Sequence, residues 1–301
     1  MGIQLLERDS ITIIVTDSGL GGMSITADLV ERLKFQGSFS RARVVFFNSS
    51  FDNHSGYNVI SSHAEKINIF QRALESMTLI YQPDVILIGC NTLSVIYPDT
   101  PFAQQPSTRV VGIVETGVNQ IMAAANEVDD PTIVIFATPT TIQKATYQQA
   151  LIQHGVRADR IIAIPCGTLA DEIEAGFNRN ETKIFVQRCV DTAIEQISDR
   201  NVPLIVSLNC THYGYVKSQF DNAFRQRGLK PKMVIDPNLR MVDFLFENSG
   251  RSTHPTQVDV DVVCKVFIFT EVMESIGSLI APISPQTLTA MQHYVRIPEL
   301  F

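Results

Sequence analysis

The sequence predicts an α/β protein of two lobes, each a mainly parallel sheet flanked by helices, pseudo-symmetric, with a candidate active-site cleft between the lobes. Three observations predict it. Short β-branched apolar runs alternate with longer amphipathic runs along the 301 residues, the pattern of strands joined by crossover helices. Several short runs are apolar without alternation, as strands buried on both faces are. A coarse duplication is also present: each half of the chain contains two apolar runs that stop abruptly on small polar residues.

Taken in order, ITIIV at 11–15 reads as the first strand and stops at Thr16-Asp17-Ser18-Gly19, before helical spacing over 24–34. VVFF at 44–47 is the second strand, followed by a helical pattern over 61–78. VILI at 85–88 is the third, and stops at Gly89-Cys90-Asn91-Thr92. A strand is expected over 110–114, after the loop-rich stretch 98–106. TIVIF at 132–136 then stops at Ala137-Thr138-Pro139-Thr140-Thr141 and leads into one helix over 140–154. A strand at 161–164 and helices over 168–178 and 191–197 precede LIVSL at 204–208, which stops at Asn209-Cys210-Thr211-His212. A helix over 217–226 and strands at 233–235 and 262–269 complete the reading. The expected first lobe is 1–110 and the second is 111–230, and the element pattern alone does not place 231–301.

Composition narrows the function classes. The hydrophobic share of 45% and the charged share of 18% describe a globular chain. A formal charge of −7, with no Lys/Arg cluster, argues against nucleic acid as a partner. No basic segment runs into an apolar leader, and no apolar stretch reaches about 18 residues, so no membrane span is expected and the expected setting is cytoplasmic. Five cysteines, an odd number without CxxC spacing, make neither a disulfide framework nor a zinc site. No metal is expected, and the ordinary reading of each thiol is a small buried hydrophobe.

Two of these thiols stand apart. Open parallel sheets bind ligands outside the carboxyl ends of their strands, and Cys90 and Cys210 both follow such an end. Helix N–H groups there can lower a thiol pKa. Two thiols facing each other can take a proton from one side of a carbon and replace it from the other, which inverts a stereocentre. Asp17 is placed to serve one thiol, although an Asp-Ser-Gly run is also an ordinary helix cap. His212, two residues after Cys210, is an acid/base partner near neutral pH or a satisfied core histidine. Asn91, Thr92 and Thr211 offer donors to carboxylate oxygens, or simple caps. GLGG at 19–22 lacks the surroundings of a nucleotide loop.

With these residues placed, the chain resembles the aspartate/glutamate racemase superfamily, and within it the glutamate racemases. The matching segments are TDSGLGGMS (16–24), GCNTLS (89–94), GIVETG (112–117), ATPTTIQKATY (137–147), CGTLADEIEAG (166–176) and NCTHYG (209–214). The resemblance implies two α/β lobes, with the C-terminal segment 231–301 rejoining the first, 1–110. It implies cofactor-independent interconversion of L- and D-glutamate, or of a related acidic amino acid, with Cys90 and Cys210 as opposed acid and base. Asp17 and His212 fall on the assisting positions, with Glu174 as a further candidate. Ser18, Ser55, Gly56, Asn91, Thr92, Thr138, Thr141 and Thr211 fall on substrate-binding positions. Cys166 matches a cysteine that is not catalytic in the family. The expected partner is a small acidic amino acid, and a homodimer is compatible with the reading. If the substrate is glutamate, the implied role is D-glutamate supply for the cell wall.

One segment departs. Where glutamate racemases have Pro-Tyr-Gly against the substrate carboxylate, this chain has NSSFDNHSGYN (48–58), with His54-Ser55-Gly56 as the nearest match. The departure leaves the substrate open. The alternatives are a binding or regulatory protein without turnover, or a superfamily enzyme acting on another dicarboxylate: an aspartate racemase, a decarboxylase or an isomerase.

Overall fold

A computed structural model describes residues 9–36, 39–53, 56–246 and 255–301. Its strands are β1 (Ser10–Asp17), β2 (Arg41–Asn48), β3 (Val85–Ile88), β4 (Arg109–Gly112), β5 (Thr132–Ala137), β6 (Ile161–Pro165), β7 (Leu204–Asn209), β8 (Met233–Ile235), β9 (Gln257–Cys264) and β10 (Val295–Arg296). They form one sheet of order β10-β9-β2-β1-β3-β4 and another of order β6-β5-β7-β8. Every described strand pair is parallel. The fold is α/β, as the alternation of runs predicts. The chain divides into two compact units, Met1–Gly112 with Asn238–Phe301, and Ile113–Pro237. β8 pairs with β7, so residues 231–237 stay with the second unit.

In the first unit β1 is flanked on both sides, with Asp17 opposite Asn48 of β2 and Thr16 opposite Ile88 of β3. Ile14, Val45, Ile86 and Ile88 face the helix His63–Tyr81 through Ile69, Phe70, Ala73, Leu74 and Met77. The helix Met23–Gln36 packs near β2 and β9 and buries Leu29, Val30 and Leu33. In the second unit β5 is the flanked strand, with Ala137 opposite both Pro165 and Asn209. Val134, Phe136, Val206 and Leu208 form one core with Val186, Val190, Phe220 and Phe224. Ile133, Ile135 and Ile205 form another with Val118, Ile121, Tyr147 and Leu151.

Four element expectations are corrected. The strand expected at 110–114 is β4, and the chain turns helical from Ile113 to Ala125. The single helix expected over 140–154 is two, Pro139–Lys144 and Thr146–Gln153. They are broken at Ala145, whose left-handed backbone (φ 52°) lets its N–H cap Ile142. The helix expected over 191–197 is the C-terminal part of Asn180–Gln196. The strand expected at 262–269 lies earlier, as β9, because its register against β2 pairs Gln257 with Arg41 and Cys264 with Asn48. Asp259 and Asp261, which make its sequence look unlike a strand, pair with Arg41 and Arg43 of β2 at 3.1 and 2.7 Å.

In the second unit's helix Ile113–Ala125, Gly117 lies against a neighbouring ring. A Cβ there would lie 2.6 Å from Oη and 2.8 Å from Cε1 of Tyr147, a fully buried ring. Gly117→Ala gains about 1 kcal/mol of helix propensity but overpacks the site at a cost of about 1–3 kcal/mol. The variant should therefore unfold at lower urea concentration than the parent protein, and an unchanged or higher midpoint would contradict this packing.

Candidate active site

Both thiols singled out in the sequence follow a strand end in the structure, each in its own unit. In the first unit Cys90 lies just past β3 and is the N-cap of the helix Asn91–Ile96, its Sγ accepting the Leu93 N–H at 3.5 Å. Ser18, just past β1, places its hydroxyl 3.2 Å from Cys90 Sγ. Asp17 is buried beside them and accepts the Gly19 N–H at 3.2 Å. The turn is held from β2's end, where Ser49 N–H donates to Asp17 O at 2.7 Å and Ser50 Oγ donates to Ser18 O at 2.6 Å. Asn91 and Thr92 are buried in the same turn.

The charge environment of Cys90 differs from expectation. Burial pushes this thiol well above its ordinary range, and the Asp17 carboxylate pushes it further. Hydrogen bonds from Ser18 and Leu93 pull the other way and are outweighed. A single turn of helix supplies too little positive potential to offset full desolvation beside an anion.

In the second unit Cys210 lies just past β7, with Sγ 3.8 Å from His212 Nδ1. His212 Nε2 lies 2.6 Å from Glu174 Oε1, and the imidazole is 7% exposed against 22% for the carboxylate. Burial alone would push His212 down, but the Cys210 sulfur and the Glu174 carboxylate outweigh it and hold the imidazole well above its ordinary value. The three groups form a thiol–imidazole–carboxylate chain in which a proton can pass between sulfur and nitrogen while the carboxylate stabilises the cation. Thr138, just past β5, caps the helix Pro139–Lys144, with its hydroxyl 3.0 Å from that of Thr141. Thr138, Thr141 and Thr211 are all buried. Cys166 is packed in the same core as Cys210, and its carbonyl accepts the Tyr213 O–H at 3.5 Å.

The structure thus brings Asp17, Ser18, Cys90, Asn91 and Thr92 to the strand ends of one sheet. It brings Thr138, Thr141, Cys210, Thr211, His212 and Glu174 to those of the other. Gly56 is exposed, and Ser55 and His54 lie outside the described residues. The tyrosine that remains in this segment, Tyr57, is buried with its ring edge-on to Phe51 at 5.5 Å. Sequence reading missed Ser49 and Ser50, whose signal was the small polar run immediately after an apolar strand. Among the described residues no group of three or more His, Cys, Asp or Glu side chains is placed to hold a metal ion, and no helix is long and apolar enough to cross a membrane.

No family model matches the chain. Among curated proteins it is similar to glutamate racemase of Syntrophus aciditrophicus, 24% identical over 76% of this chain and 74% of that protein. It is likewise similar to glutamate racemase of Campylobacter jejuni, 26% identical over 78% of this chain and 85% of the relative. Its fold is shared with the crystal structure of Francisella tularensis glutamate racemase in complex with D-glutamate (TM-score 0.68, 21% identity, 91% of this chain and 94% of that one). It is shared also with that of the Campylobacter jejuni enzyme (TM-score 0.65, 22% identity, 90% and 97%). In sequence the chain is thus similar to glutamate racemases, and in fold it is like their solved structures.

Proposed function

We propose that the protein is a cofactor-independent racemase that interconverts L- and D-glutamate, or a closely related acidic amino acid, through acid/base chemistry at Cα. The observation that supports it most is the repetition, in each unit, of a buried cysteine just past a strand end with an acid/base group beside it: Asp17 for Cys90, and His212 with Glu174 for Cys210. The relatives' activity and the D-glutamate bound to the Francisella tularensis protein support the substrate class.

In this reading one sulfur, as thiolate, takes the Cα proton, and the electron pair left behind is delocalised into the α-carboxylate. The other sulfur, as thiol, delivers a proton to the opposite face. The two sulfurs exchange protonation states, and the reverse reaction uses the same groups in the opposite roles. His212 moves a proton to or from Cys210, and Glu174 stabilises its cationic form. Cys90, buried beside Asp17, favours the protonated state and serves as donor in one direction. Once deprotonated it is a strong base for the other direction. Ser18, Asn91, Thr92, Thr138, Thr141 and Thr211 supply neutral donors for the substrate's carboxylates. D-glutamate supply for the cell wall is the role that follows if glutamate is the substrate, and the cytoplasm is the compartment that fits it.

Solvent deuterium should enter Cα of D- or L-glutamate on incubation with the protein, with chiral chromatography showing interconversion. Cys90→Ala and Cys210→Ala should each lower racemisation by at least about a hundredfold, the scale of a positioned acid or base. Undiminished racemisation in either variant would falsify the two-thiol mechanism. A panel including aspartate tests the departure at 48–58: binding of an acidic ligand with no Cα exchange for any member would favour a binding protein instead.

Stability should report the His212–Glu174 pair. A raised folded value means that His212 keeps its proton where the unfolded chain, with a value of about 6.5, has lost it. The resulting stabilisation is complete below that pH and is lost as the pH rises through the raised value. Glu174→Gln removes part of the raising. The gap in unfolding free energy between the parent protein and this variant, from urea denaturation, should be widest below about pH 6.5 while the carboxylate is still ionised, and narrow as the pH rises. A gap independent of pH would refute the charged pair.

A further inference from the structure

Glu174 rides on a short helix, Leu169–Gly176, whose buried residues are Leu169 and Ile173. These anchors lie at its start and middle, and leave the last turn to be fixed by other means. That turn also has carbonyls with no intrahelical donor. Two donors reach the last of them, Gly176 O: the Arg179 N–H at 3.1 Å and the hydroxyl of Thr182, which is fully buried in the first turn of the helix Asn180–Gln196. Its Oγ1 lies 2.7 Å from Gly176 O and 3.1 Å from Glu172 O. A hydroxyl carries one proton, so the nearer carbonyl takes the larger share and the farther one the remainder. The two carbonyls so engaged stand two residues before and two after Glu174. From the helix Lys217–Gln226, Gln219 Nε2 donates to Phe177 O at 2.8 Å, holding the residue that follows.

We propose that Thr182 is a positioning residue for the Cys210 group: its hydroxyl fixes the last turn of the short helix so that the Glu174 carboxylate meets His212 Nε2. The catalytic consequence rests on the racemase reading; the geometric consequence does not. A charge-assisted contact at 2.6 Å weakens steeply with displacement. A side chain that sets the helix end within a few tenths of an ångström therefore sets the strength of that contact. The groups that act on His212 are Cys210 on its own segment, Glu174 on the short helix, and Asp171 one turn earlier on that helix. Of these, the two carboxylates move with the helix that Thr182 ties down. An ordinary cap, by contrast, would contribute to stability and leave His212 as it is.

The test uses the full chain with Thr182→Val, which keeps the branched shape and removes the donor. NMR titration of His212, turnover against pH and urea unfolding are read together. The His212 titration midpoint should fall toward about 6.5, and kcat should fall about tenfold with KM nearly unchanged, the scale of a sub-ångström misplacement. Thr182→Ser should restore both. In a Glu174→Gln background, Thr182→Val should cause no further loss of kcat. A lowered unfolding midpoint with an unmoved His212 titration and parental kcat would overturn the proposal, as would losses that multiply in the double variant. If Thr182→Val does not fold, Thr182→Ala, which removes the donor without adding bulk, is read by the same criteria. Should the parent protein catalyse no Cα exchange, the racemase reading fails, while the His212 titration still decides the role of Thr182.

Discussion

The constraint on which the site depends is the point in each parallel sheet where the strand order reverses. In the first unit the chain lays β2 on one side of β1 and then β3 on the other. In the second it lays β6 beside β5 and then β7 on the opposite side. Helices following such neighbours lie on opposite faces of the sheet, so a crevice opens at the carboxyl ends between the two central strands. Register then decides which residues border it. With Thr16 level with Ile88, the next residues out are Asp17 and Ser18 from one strand and Gly89 and Cys90 from the other. With Ala137 level with Asn209, they are Thr138 and Cys210. The same reversal, made twice, gives each unit one cysteine and at least one hydroxyl at its crevice.

Equivalent positions do not make equivalent thiols. Cys90 is desolvated next to a carboxylate, with only a hydroxyl and one helix N–H in compensation. Cys210 has an imidazole as its neighbour, and that imidazole is anchored by a carboxylate of its own. In the first group, therefore, negative charge stands directly beside the sulfur. In the second it is one residue removed, behind a group that carries a proton. The duplication fixes where the sulfurs lie, and the side chains around them set which charges each one faces.

The buried parts of this arrangement were legible in the sequence because they follow from local rules. Apolar runs buried on both faces identified β1, β3, β5 and β7, and the small polar residues after them marked the crevice. β9 was not legible at its true place because Asp259 and Asp261 break an apolar pattern, and only the register against β2 reveals Arg41 and Arg43 as their partners. The break at Ala145 was hidden for a different reason, since alanine is the strongest helix former and gives no sign of a left-handed turn. Pairings across the fold were legible only in part. Cys90 and Cys210 could be recognised as strand ends, but the contact of Ser18 with Cys90 and that of Glu174 with His212 join residues far apart in sequence. At Cys90 the lowering that helix N–H groups can give a thiol is outweighed by burial and a neighbouring anion, both tertiary effects.

The proposed donor set has one further physical consequence. Ser18, Asn91, Thr92, Thr138, Thr141 and Thr211 are all neutral, and none of the residues assigned to the reaction is lysine or arginine. An arginine held against a substrate carboxylate would bind it tightly before and after proton transfer alike, which lowers KM without lowering the barrier. It would also draw charge from the sulfur that must act as base. With neutral hydroxyls, amides and backbone N–H groups as the proposed donors, the charges nearest the thiols among the described residues are Asp17 at one and the His212–Glu174 pair, with Asp171 behind it, at the other. In the proposed reaction, charge that develops during proton transfer would be met by groups fixed in advance around the sulfurs, where preorganised polarity acts on the barrier itself.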